Sequence, residues 1–164
     1  MGELDGSRVL DLFAGTGALG IEAISRGAEC LVAVDRSRQS AEAIERNLEQ
    51  FRVASQARVI RADARAAIRR LDQSGEVFDL VFLDPPYVDL AEPPAVLNAL
   101  VACDILDPDA VVVVEGPKRH SLQRIPGLVL EKERRYGDTV VYWLGVDPAG
   151  RDPRQAKGRE SRDG

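Results

Sequence analysis

The segment Phe82-Leu83-Asp84-Pro85-Pro86-Tyr87 combines residue types that suit one kind of chemistry. Two consecutive prolines have no backbone N–H and a fixed φ, so their carbonyl oxygens are held in stiff directions beside the Asp84 carboxylate. The result is a cluster of acceptors. An aromatic exocyclic amine is a poor nucleophile because its lone pair is delocalised into the ring. Two acceptors on its hydrogens favour the pyramidal form that attacks a methyl sulfonium. The pattern assigns Asp84 and the Pro85 carbonyl to such an amine, with Pro86 completing the rigid pair. Tyr87 is expected to stack on the ring, which contributes about 1–3 kcal/mol per base and helps hold a base rotated out of its stack. A covalent enzyme nucleophile is not required, and neither Cys30 nor Cys103 follows a proline as a nucleophile for a ring carbon would. Asp-Pro also occurs in turns that merely stop a strand, so its surroundings decide.

Those surroundings include Asp11-Leu12-Phe13-Ala14-Gly15-Thr16-Gly17-Ala18-Leu19-Gly20, a G-x-G-x-x-G where a strand gives way to a helix. Glycines there permit positive φ and close backbone approach, so a ligand lies across the loop at the helix N-terminus. Two cofactors use this geometry, a nicotinamide dinucleotide and S-adenosylmethionine. Asp35, twenty residues after Gly15, suits the ribose hydroxyls of either. Asp11 separates them, because a carboxylate before the glycines repels a pyrophosphate and attracts the ammonium group of a methionine moiety. Asp63 is placed to accept from an adenine amino group. Taken singly, Asp11 also reads as a strand-end cap, and Asp63 as the N-cap of a helix beginning near Ala64.

Positioning these groups requires an alternation of strands and helices. Arg8 to Phe13, Cys30 to Asp35, Arg58 to Asp63 and Val77 to Asp84 are apolar, β-rich stretches that end near an acidic residue. Helical segments intervene; Ala41, Ile44, Leu48 and Phe51 form one apolar stripe, with Ser37 as N-cap. Alternation implies an α/β Rossmann-like fold whose parallel sheet carries helices on both faces and ligands at the carboxyl ends of its strands. A helix from about Pro94 to Cys103 leads to a fifth strand, Ala110 to Glu115, whose valines suit burial on both faces. Leu128 to Arg135 and Thr139 to Val146, joined by Tyr136-Gly137-Asp138, read as an antiparallel hairpin that brings the sheet to about seven strands. Residues 1–146 form the expected domain. The polar remainder, 147–164, buries too little to offset its ordering entropy and is expected to be a disordered tail.

Composition narrows the class. At 164 residues and 45% hydrophobic, one domain with a full core is expected, and the longest apolar runs are strand-sized. Two distant cysteines and one histidine indicate neither a zinc site nor a disulfide framework, which fits a reducing cytoplasm. The formal charge of -5 gives no whole-protein footprint for a nucleic acid. The arginines at 58, 61, 65, 69 and 70 read as a solvated face and His120 as a surface histidine. Lys118 and Arg119 follow the fifth strand on the ligand rim, where phosphates would be met.

Residues 9 to 28, V-L-D-L-F-A-G-T-G-A-L-G-I-E-A-I-S-R-G-A, with F-D-L-V-F-L-D-P-P-Y at 78 to 87 and R-Y-G-D-T at 135 to 139, resemble the RsmD-type 16S rRNA guanine-N2 methyltransferases. The resemblance implies S-adenosylmethionine as cofactor, held by Asp11, Gly15, Gly17, Asp35 and Asp63, with Phe13, Ala14, Arg36 and Ala64 completing the contacts. It implies a catalytic role for Asp84, Pro85, Pro86 and Tyr87. The implied substrate is a guanine of ribosomal RNA within a small subunit or its assembly intermediate, and the protein is expected to be a monomer. Family members usually carry a basic N-terminal segment running into a helix ahead of the first strand, whereas this chain starts almost at that strand. Adenine N6 or protein glutamine methylation are alternatives within the class, a nicotinamide-dependent oxidoreductase and a non-catalytic RNA-assembly factor outside it.

Overall fold

In the computed structural model, which describes residues 3–86, 92–147 and 149, strands and helices alternate through five parallel strands before the chain turns back on itself. The order is β1 (Arg8–Asp11), α1 (Ala18–Ser25), β2 (Cys30–Asp35), α2 (Arg38–Gln50), a single 3₁₀ turn (Ala54–Gln56), β3 (Ala57–Arg61), α3 (Ala64–Gln73) and β4 (Phe78–Leu83). Then follow α4 (Glu92–Ala102), β5 (Leu106–Pro117), β6 (Leu128–Tyr136) and β7 (Thr139–Val146). They build one seven-stranded sheet in the order β3-β2-β1-β4-β5-β7-β6. β7 runs antiparallel to both of its neighbours, so the expected hairpin is present with its second strand inside and its first at the edge.

Strand order reverses between β1 and β4, which pair directly with Val9 opposite Leu80 and Asp11 opposite Phe82. In open α/β sheets this reversal opens a crevice at the carboxyl ends of the strands. Here it brings the loop after β1 and the loop after β4 to one place, although Gly15 and Asp84 are 69 positions apart in sequence.

Two apolar cores hold the sheet between its helices. On one face, Ala23 and Ile24 of α1 and Ile44 and Leu48 of α2 pack on Val9, Leu31 and Ala33. On the other, Ala67, Ile68 and Leu71 of α3 and Val96, Leu97 and Leu100 of α4 pack on Leu10, Val32, Val34 and Val81. Successive strand residues thus feed opposite cores, as the period-two alternation of side chains requires. Each fully buried valine, leucine or isoleucine among them stabilises the fold by about 1.5–3 kcal/mol.

Local signals set the element ends. Ser37 caps α2 by accepting the Ser40 N–H at 3.3 Å. Asp63 caps α3 by accepting the Arg65 N–H at 3.0 Å and the Ala66 N–H at 3.3 Å. Gly20 lets α1 lie close on β2, since a Cβ there would sit 2.5 Å from Leu31 Cδ2.

Three expectations are corrected. Phe51 is not part of the α2 stripe; it is the C-terminal cap and 59% exposed. β5 begins at Leu106, ahead of Ala110, because the chain pairs with Phe78, loses register across Asp107-Pro108-Asp109, and resumes at Val111 opposite Leu80. That tripeptide reads as a turn, and Asp107 does accept the Asp109 N–H. Nor is β5 fully buried on both faces, for Val112 and Val114 are buried while Val111 and Val113 are half-buried. Apart from residues 147 and 149, the expected tail lies outside the described residues.

Candidate active site

Five consecutive strand ends wall one cavity of about 520 Å³. The loop after β1 contributes Leu12, Phe13 and Gly15, and the end of β2 contributes Asp35 and Arg36. Ala62, Asp63 and Ala64 come from the β3–α3 junction, Asp84, Pro85 and Pro86 from the end of β4, and Glu115 from β5, with Glu92 from the start of α4. The glycine loop and the Asp-Pro-Pro turn therefore share one cavity, as a donor and acceptor of a transferred group must.

The glycine loop is fixed by its own backbone. Ala14 donates to the Val34 carbonyl at 3.0 Å, and Gly17 donates to the Ala14 carbonyl at 2.7 Å. Gly15 and Gly17 have φ of 57° and 82°, in the left-handed region where side chains are strained. A Cβ on Gly15 would meet nothing within 4 Å, because that residue faces open space. A Cβ on Gly17 would press on Ile44 Cγ2 at 3.2 Å. The first glycine serves the ligand side, and the second serves the turn and the packing of α2.

Asp35 ties this loop to the next strand. Its Oδ2 accepts the Gly15 N–H at 3.0 Å and its Oδ1 accepts the Ser37 N–H at 2.9 Å. Each oxygen retains a lone pair for a ribose hydroxyl. Asp63 fills the capping role, its Oδ1 taking two backbone N–H groups, while the residue also lines the cavity. The capping reading of Asp63 thus holds, and the residue also faces the cavity.

Asp11 is the most unusual group. It is 1% exposed, and its Oδ1 has no hydrogen-bond partner among the described residues. Burial pushes its pKa up to about 7, the Asp84 and Asp35 carboxylates adding to the rise and a backbone hydrogen bond from Phe13 opposing it. A buried oxygen without a partner costs free energy, and a cationic donor would recover it. Asp84 is half-buried, and desolvation, with the Glu115 carboxylate contributing, raises its pKa to about 6.

Not every expected contact lines the cavity. Phe13, Gly15, Asp35, Arg36, Asp63, Ala64, Asp84, Pro85 and Pro86 do, whereas Asp11, Ala14 and Gly17 do not. Tyr87 lies outside the described residues. Sequence reasoning passed over Leu12, Ala62, Glu92 and Glu115. Glu115 carries the same signature as the other acids, a carboxylate at the end of an apolar strand.

The donor set decides what the cavity accepts. Asp35, Asp63, Asp84, Glu92 and Glu115 line it against one cation, Arg36. Such a wall repels a pyrophosphate and attracts a ligand bearing an ammonium and a sulfonium, so the residues fit S-adenosylmethionine and disfavour a dinucleotide. Of the acids expected to hold it, Asp35 and Asp63 line the cavity, while Asp11 is buried behind its lining with Oδ1 unpartnered among the described residues.

A reversed parallel sheet with an antiparallel seventh strand inserted beside β5, a glycine loop held by the second-strand acid, and a carboxylate cavity define a class I S-adenosylmethionine-dependent methyltransferase. The comparisons narrow this further. The family described as conserved hypothetical protein 95 matches residues 1–145. The ribosomal RNA small subunit methyltransferase D of Haemophilus influenzae is 35% identical over 133 residues, 80% of this chain and 67% of that one. The Escherichia coli K12 protein of the same name is 33% identical over 139 residues, 84% of this chain and 67% of that one. Among solved structures, a conserved hypothetical protein of Streptococcus pyogenes superposes with a TM-score of 0.80 at 36% identity, covering 90% of each chain. The chain belongs to the ribosomal RNA small subunit methyltransferase D family.

Proposed function

We propose that this protein methylates the exocyclic N2 amine of a guanine in small-subunit ribosomal RNA, within the subunit or an assembly intermediate, acting as a cytoplasmic monomer. The observation that carries the reading is the shared cavity. Asp84, Pro85 and Pro86 line it together with Gly15 and Asp35. The names of the relatives supply the small-subunit RNA. Among the described residues no helix is long and apolar enough to cross a membrane.

When bound, S-adenosylmethionine supplies an electrophilic methyl group. The chain's own residues prepare the acceptor. Asp84 in its ionised form and the Pro85 carbonyl accept the two N–H bonds of the amine, which weakens conjugation of its lone pair with the ring. The rigid prolines fix those acceptors in advance, so orienting the amine costs little reorganisation. As the nitrogen gains its methyl group it must lose a proton. Asp84, with a pKa of about 6, is a stronger base than an ordinary aspartate and takes it.

Labelled-methyl transfer to under-methylated small subunits, followed by nucleoside analysis, tests the proposal. Label in N2-methylguanosine is the expected result. Label in N6-methyladenosine or in protein would replace the substrate named here.

A further inference from the structure

A second cavity, of about 530 Å³, is walled by the 118–125 loop and the β6–β7 hairpin. Leu122, Leu130, Val140 and Leu144 make its apolar sides, and Lys118, Arg124 and Arg135 stand around them. Against these cations are two carboxylates, Glu133 and Asp147, of which Glu133 is engaged by Arg135 Nε at 3.1 Å. Among the described residues neither Lys118 nor Arg124 is in an ion pair. The balance is opposite to that of the reaction cavity, where carboxylates dominate.

Tyr142 lines this cavity too; it is 6% exposed, its remaining exposure includes the hydroxyl, and no described residue hydrogen-bonds that hydroxyl. This side chain lines both the second cavity and a smaller one of about 180 Å³ beside it. The smaller cavity shares Glu115 with the reaction cavity, and Ser121, Leu122, Gln123 and Tyr142 with the second. The three cavities therefore adjoin in a row, a trough partitioned at the shared residues, between the Asp84 site and the edge strand.

We propose that the second cavity is a nucleotide subsite, taking the base of a residue that flanks the target in the RNA strand. The apolar sides receive the ring, the Tyr142 hydroxyl meets a polar atom on the base edge, and Lys118 and Arg124 meet neighbouring phosphates. Single-stranded RNA is recognised in this way, by a flat base on an apolar platform and cations along the backbone. A strand entering the trough also reconciles a protein of net charge -5 with a polyanionic substrate, since the cations that matter are local. The inference rests on the RNA reading above.

Two variants test it, Tyr142→Phe, which keeps the ring, and Lys118→Ala with Arg124→Ala, both exposed. Affinity for a short labelled single-stranded oligoribonucleotide is measured by fluorescence anisotropy, and methyl transfer to under-methylated small subunits alongside. Tyr142→Phe is expected to weaken RNA binding about fivefold, the loss of one hydrogen bond. The double variant should weaken it about tenfold and flatten the slope of log affinity against log salt by about 1.4, two phosphate contacts on a single strand. Cofactor affinity should be unchanged in both. Unaltered RNA affinity in both variants, with wild-type transfer intact, overturns the subsite and leaves the proposed function standing. Loss of RNA affinity in the variants of a protein that transfers no methyl to RNA supports the subsite and overturns the function. A concentration-dependent dimer that the substitutions dissolve, at constant RNA affinity, assigns the cavity to a second copy and also overturns it.

Discussion

One oxygen of the Asp35 carboxylate takes the Gly15 N–H at 3.0 Å while the other takes the Ser37 N–H at 2.9 Å, so one side chain fixes both the glycine loop and the start of the turn into α2. The carboxylate is a pin for the loop as well as an acceptor for a ribose. Replacing Asp35 with alanine is expected to weaken S-adenosylmethionine binding by about tenfold or more, since hydrogen bonds to a charged group contribute about 1.5–3 kcal/mol each. Calorimetric titration checks this, and an unchanged Kd would remove the ribose role.

Asp11 carries a different cost. A carboxylate whose folded-state pKa lies near 7 binds its proton more tightly in the folded chain than in the unfolded one. Its contribution to stability is fully present below about pH 4, the unfolded value, and is lost as pH rises through about 7. Asp11→Asn keeps the shape and removes the titration. Its unfolding free energy should depend less on pH between about 4 and 7 and should match or exceed that of the parent at pH 8, while cofactor affinity falls. Urea unfolding at several pH values measures the first effect. An Asn variant that is less stable at pH 8 would show that the ionised carboxylate is stabilised in the free protein beyond its hydrogen bond from Phe13.

Activity should follow the Asp84 carboxylate. Because only the ionised form accepts two N–H bonds and a proton, methyl transfer is expected to rise with pH and level off above about 6. Saturating cofactor should move the rise to lower pH, since a nearby cation favours the charged form. A rate that is flat between about pH 5 and 7 would assign the proton to another group.

Gly20 tests the fold rather than the chemistry. Gly20→Ala places a methyl group 2.5 Å from Leu31 Cδ2, and the Leu31 side chain is itself 1% exposed. Overpacking of this kind costs about 1–3 kcal/mol, read as a lower Tm. Pairing it with Leu31→Ala should recover part of the loss by making room, and additive losses would mean that the helix shifts instead.

The sequence makes the rim legible because strand-end acids and rigid or flexible backbone residues act through local geometry. Asp11, Asp35, Asp63 and Asp84 each close an apolar run, and helices on both faces with right-handed crossovers require the sheet order to reverse, although only the structure shows that it does so at β1–β4. What sequence does not disclose is tertiary. Gly17 has the spacing of a ligand glycine, yet the body of Ile44, twenty-seven residues on, occupies its far side. Phe51 continues a helical period, but the helix stops one residue earlier, and period alone carries no stop signal. Glu115 was visible as a strand-end acid, but only the register of β5 against β4 sets it near Asp84.

The separation of binding from transfer tests the central claim most directly. Single-turnover methyl transfer by Asp84→Ala, measured with its cofactor Kd, should show transfer abolished and affinity within about tenfold of the parent, because the substitution removes an acceptor for the amine and leaves the Gly15–Asp35 side intact. Transfer at the parent rate with cofactor bound would contradict the role of Asp84 as the acceptor of the amine.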